Sequence, residues 1–138
     1  MKRLLVVLPP GGMPEVFAEE AVARAKDFGG DILALYVIDS QWSKFSAADW
    51  LSTGPSRASF DSYMHDTMLK EAARMADELK QAAELSDIPF SYETAEGDPA
   101  EVISEYAISR DIEVVLLSST HPDLKYIKKR CGREVVII

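Results

Sequence analysis

Few residues in this sequence have a type and spacing suited to chemistry, and they gather in three places. Pro9-Pro10-Gly11-Gly12 follows the first aliphatic run, Asp39 ends the second, and Ser118-Ser119-Thr120-His121 follows the fourth. Paired glycines let backbone approach a ligand closely, and hydroxyls with free amides at a helix start suit an anion. Both have plainer accounts: Gly-Gly after a strand is an ordinary turn, and Ser and Thr cap helices. Neither G-x-G-x-x-G nor G-x-x-x-x-G-K-[ST] occurs. There is no G-x-S-x-G elbow, and no pair of carboxylates stands apart from ordinary surface acids. His65 and His121 lie far apart and in no metal-ligand spacing. His121, at the exit of the fourth run, is the better functional candidate, although a first-turn residue of a capped helix needs no function. The single cysteine, Cys131, excludes an internal disulfide and a thiolate metal cage, and reads as a small residue closing a helix. Glu19, Glu20, Glu71, Asp77, Glu78 and Glu84 read as solvated helix faces.

The elements that must position these residues alternate along the chain. Residues 4–8, 32–38, 112–117 and 134–138 are apolar on both faces apart from Glu113 and Glu134, as strands inside a sheet covered by helices must be. Residues 88–95 alternate like an exposed strand, and Pro89 places that strand at an edge. Phe17, Ala21, Ala25 and Phe28 share a helical face that Gly29-Gly30 terminates. Met64, Met68, Ala72, Met75, Leu79 and Ala83 predict a long core-facing helix from residue 61 to 85. Asp98, Pro99 and Glu101 form the start of the next helix, a D-x-x-E capping box with proline at its first position. A second such box at Thr120 and Asp123 opens a short helix with Lys125, Lys128, Lys129 and Arg130 toward its end, where cations favour the helix dipole. Five strands alternating with four helices predict an α/β parallel sheet with helices on both faces. Residues 40–59, with Trp42, Phe45, Trp50 and Leu51, interrupt this rhythm as a long connection that folds over its own sheet, closes a site or meets a partner.

With 138 residues the chain is expected to form one domain, residues 1–138. A net charge of −8 opposes binding to phosphate backbones, so neither nucleic acid nor an anionic membrane is an expected partner. The apolar run after Lys2-Arg3 is too short for a signal peptide or a membrane span. A cytoplasmic location fits the lone cysteine.

Together these segments resemble the universal stress protein family. The resemblance rests on Val37-Ile38-Asp39 closing the second strand, on G-D-P-A-E-V-I from Gly97 followed by E-V-V-L-L-S-S from Glu113, and on the terminal R-E-V-V-I-I. It implies a Rossmann-like, adenine-nucleotide-alpha-hydrolase-like sheet in the order 3-2-1-4-5, homodimers through the last strand from Glu134 to Ile138, and in many members ATP binding. An exposed aliphatic edge at residues 134–138 would independently need a partner. ATP-binding members carry Asp just after the first strand, where this chain has Pro9-Pro10-Gly11, and a glycine loop after the fourth, where it has Ser118 and His121 in place of the first two glycines. The resemblance therefore leaves Pro9, Gly11, Val37, Asp39, Leu117 and Ser118 as candidate ligand-binding residues, with no catalytic or metal residue. The expected function is a non-enzymatic, dimeric stress-response domain acting through a protein partner or small ligand, without ATP as cofactor. The alternatives are an AMP- or ATP-binding sensor and an adenine-nucleotide hydrolase.

Overall fold

The computed structural model describes residues 3–9, 12–13, 15–39, 54–119, 121 and 124–138. Along these residues run β1 (Arg3–Val7), α1 (Glu15–Phe28), β2 (Asp31–Asp39), α2 (Gly54–Leu85), β3 (Phe90–Gly97), α3 (Pro99–Ser109), β4 (Val114–Leu117), α4 (Leu124–Arg130) and β5 (Glu134–Ile137). The strands form one parallel sheet in the order β3-β2-β1-β4-β5, as the resemblance implies.

The doubly apolar strands are explained by two cores, one on each face. On the first face, Leu4, Val6, Ile32, Ala34 and Tyr36 meet α1 through Phe17, Ala21 and Ala25, and α2 through Ala72, Met75, Leu79 and Ala83. On the second, Leu5, Val7, Leu33, Leu35, Val115 and Leu117 meet Ala100, Ile103 and Ala107 of α3 and Ile127 of α4. Each large aliphatic side chain buried this fully contributes about 1.5–3 kcal/mol of transfer free energy.

The helix ends follow the sequence closely. Gly29 adopts φ 72 and donates to the Ala25 carbonyl at 2.9 Å, closing α1 in the left-handed conformation that glycine favours. The Asp98 carboxylate accepts from the Glu101 amide at 3.3 Å. The second arm of that capping box is used elsewhere, since the Glu101 carboxylate lies 3.6 Å from the Arg130 guanidinium and ties α3 to α4.

Three boundaries differ from the sequence reading by two residues or more. The third strand runs from Phe90 to Gly97 rather than over residues 88–95. The long helix begins at Gly54 rather than at residue 61. Pro55 resembles a loop former there, yet it sits in the first turn, where its missing N–H costs nothing. The fourth strand begins at Val114 rather than at residue 112, because Asp111 turns through the left-handed region at φ 53. Ile112 is nonetheless buried, and the Glu113 amide donates to the Arg3 carbonyl at 3.1 Å. Residues 40–53, which hold the aromatics of the long connection, and the expected cap residues Thr120 and Asp123 lie outside the described residues.

Candidate functional site

In a sheet of this order the helices change faces between β1 and β4, and ligands of such folds bind beyond the carboxyl ends of the strands at that point. The register decides what arrives there. Val7 aligns with Leu35 and Val6 with Leu116, so Pro9 comes level with Val37, and Ser118 with Leu8. Pro9, Leu117 and Ser118 are buried and Val37 is half-buried. Four of the six candidates thus converge at the ends of three adjacent strands. Asp39 aligns with Gly97 one strand further out, and Gly11 lies outside the described residues.

The backbone at this end is largely committed to the fold. The Leu8 amide donates to the Leu35 carbonyl at 2.9 Å. After β4, the Ser119 amide donates to the Ile138 carbonyl at 2.9 Å, the His121 amide to the Ser118 carbonyl at 3.0 Å, and the Leu124 amide to the His121 carbonyl at 3.3 Å. His121 is only 7% exposed, so it packs into the turn. Both His121 and Ser118 make further interactions within the protein.

One residue of this region was misread from sequence. Glu71 is half-buried rather than solvated, and its Oε1 lies 3.9 Å from where a Cβ would stand on Gly12. Gly12 has φ +114, which only glycine adopts without strain. On the same face sit Tyr36, 3% exposed, and the half-buried Tyr92, diagonal neighbours because Ala34 aligns with Tyr92 and Tyr36 with Thr94. Burial first, then the charge of Glu71 and the neighbouring Tyr92, raises the Tyr36 phenol above its ordinary pKa, and burial raises Tyr92. Both phenols therefore stay protonated at neutral pH, suited to donate hydrogen bonds and not to act as nucleophiles. The signal for Glu71 was present: it stands three residues after Met68 and four before Met75, on the buried stripe itself.

Among the described residues no group of three His, Cys, Asp or Glu side chains could hold a metal ion, and no helix is long and apolar enough to cross a membrane. At the opposite, amino end of the strands, Arg3, Asp31, Arg110 and Asp111 line an open cleft of about 240 Å³.

The universal stress protein family model matches residues 1–128. The fold is similar to that of a universal stress family protein from Burkholderia pseudomallei, with TM-score 0.74 and 18% identity over 99% of this chain and 95% of that one. It is also similar to UspA from Lactobacillus plantarum, with TM-score 0.70 and 22% identity over 99% and 97%. The universal stress protein of Archaeoglobus fulgidus in complex with dAMP gives TM-score 0.69 and 11% identity over 100% and 98%. No curated protein matches the sequence. With a family model spanning most of its length and the sheet order of that fold, the chain belongs to the universal stress protein family.

Proposed function

We propose that this chain is a cytoplasmic regulatory domain that works as a homodimer through β5 and acts by binding a protein partner or a small ligand. In this reading it neither catalyses a reaction nor binds ATP in the usual mode of its family. The observation that carries the proposal is the hydrogen bonding after β4: the amides of Ser119, His121 and Leu124 are already donated to carbonyls of this chain. A phosphate cradle works by presenting free amides to the anion, and these three are spent. The dimer is supported by β5 itself, an aliphatic edge with β4 on one side only.

A second reading has support of its own. Universal stress proteins of this fold have been solved with dAMP and with cAMP, and Pro9, Val37, Leu117 and Ser118 converge here at the strand ends. An adenine nucleotide held mainly by its nucleoside end, with Asp39 and Gly11 as further contacts, would use those residues without a phosphate loop. Equilibrium dialysis with labelled AMP, ATP and cAMP separates the two. No saturable binding is expected, and micromolar affinity for any of them would establish the sensor instead. Phosphate release from ATP by the folded protein would move the assignment to a hydrolase. Sedimentation equilibrium is expected to give a dimer.

A further inference from the structure

Residues 1–123 carry ten Lys and Arg against twenty-two Asp and Glu, whereas residues 124–138 carry five against one. The reversal is concentrated on α4 and the turn after it. Ile127 is fully buried and Leu124 and Cys131 are half-buried, which fixes one side of the helix against the sheet. The side turned away presents Lys125 and Lys129 one turn apart, flanked by Lys128, with Arg133 in the following turn, all exposed. Among the described residues none of these four enters an ion pair; only Arg130 is held, 3.8 Å from Asp98 and 3.6 Å from Glu101.

The helix dipole explains part of this pattern and leaves two features over. Cations in the last turn stabilise a helix, but Lys125 stands in the first turn, where a cation is unfavourable. Beside it Tyr126 is 68% exposed, a large aromatic ring on an outer surface. A cationic face carrying an exposed aromatic suits an anionic partner that also brings an apolar side chain.

The size of the patch selects the kind of anion. Seven helical residues span about 10 Å. A nucleic acid strand or a membrane surface would extend past that length over the acidic remainder, and screening at about 8 Å gives little relief at such close range. We infer that the outer face of α4 is a docking surface for a short acidic segment of a partner protein, with Lys125, Lys128, Lys129 and Arg133 meeting its carboxylates and Tyr126 packing on an apolar residue among them. This names a partner class for the regulatory function proposed above and rests on the partner-binding half of that reading.

The test uses a fluorescein-labelled nine-residue peptide of Asp and Glu around a central Leu, titrated with the full chain and read by anisotropy. Saturable binding is expected, weakening at least about tenfold between about 0.05 and 0.3 M salt. The double change Lys125→Gln with Lys129→Gln should weaken it by about tenfold or more, Tyr126→Ala by several fold, and Lys26→Gln with Lys70→Gln not at all. Amide NMR shifts on adding peptide should cluster in residues 124–133, a readout that needs no variant. Failure of the wild type to bind, equal loss in the Lys26 and Lys70 control, or shifts centred elsewhere would overturn the inference. So would tighter binding of a fifteen-residue oligothymidylate or of phosphatidylserine vesicles. Sedimentation and nucleotide dialysis of the same preparation report on the dimer and the pocket separately. Loss of peptide binding alone would leave that part of the proposed function standing.

Discussion

The two edges of the sheet are built differently. β3 is eight residues long and mixes polar with apolar side chains, FSYETAEG. Side chains buttress it as well as its ladder to β2. The Arg110 guanidinium at the end of α3 donates to both oxygens of Glu93 at 2.6 and 2.7 Å, the Tyr106 hydroxyl donates to Glu93 at 3.3 Å, and the Arg110 guanidinium sits 5.2 Å from the Tyr106 ring centroid. β5 is four residues, EVVI, with a single charge at its start and seven-residue α4 alongside. A polar, braced edge resists pairing with another chain, whereas an aliphatic one invites it. The contrast is what favours β5 over β3 as the seam of the proposed dimer.

The largest effect that can break this contrast is expected from one proline on each edge. The Ile138 amide donates to Leu117 and its carbonyl accepts from Ser119, so by ladder alternation the N–H groups of Val135 and Ile137 point outward. Ile137→Pro removes an outward donor, leaves the bonds to β4 intact, and should weaken dimerisation by about a hundredfold or more in sedimentation equilibrium. On β3 the Ile32 amide donates to the Pro89 carbonyl, which leaves the Thr94 N–H outward. Thr94→Pro should leave the dimer unchanged, and the reverse pattern would exchange the roles of the two edges.

A smaller effect concerns how β3 hands over to α3. Gly97 has φ +149, and a Cβ there would meet Val102 Cγ2 at 3.1 Å, so Gly97→Ala should cost about 1–3 kcal/mol in chemical denaturation. Removing the brace by Arg110→Ala should cost about 1 kcal/mol, since the pair is bidentate but 43% and 30% exposed, with no change in assembly. The smallest effect appears only at alkaline pH. Tyr36 has its phenol pKa raised from 10.0, chiefly by burial. The unfolded chain therefore loses this proton first: the contribution is complete below pH 10.0 and is lost as pH rises through the folded value. Thermal melts of Tyr36→Phe should fall less steeply than wild type above that pH.

How much of this was legible in the sequence depends on the range of the interaction involved. The aliphatic runs, the Gly29 terminator and the Asp98 cap are local signals, and each marks its element, with strand ends shifted by one or two residues. The start of α2 escaped because Gly54-Pro55 is equally a turn and a helix entry, and propensity alone does not separate them. Glu71 escaped because the acids around it on α2 obscure its place on the stripe of Met68 and Met75, and the positions of Gly12 and Tyr36 show that it faces inward. The Glu93 to Arg110 brace joins two elements through a register that no local pattern encodes. The convergence of Pro9, Val37, Leu117 and Ser118 needed the strand order, which came from family resemblance and not from periodicity.

The central place of β1 carries a consequence for how the molecule is made. Leu4, Leu5 and Val6 pair with Val114, Val115 and Leu116, from the far end of the sequence. During synthesis the first strand can join β2 early, but its other flank, among the most apolar in the protein, waits until β4 has emerged. Pairings of such long sequence separation form slowly and leave a sticky intermediate. The yield of folded protein should therefore respond to chaperone supply and growth temperature more than its final stability would suggest.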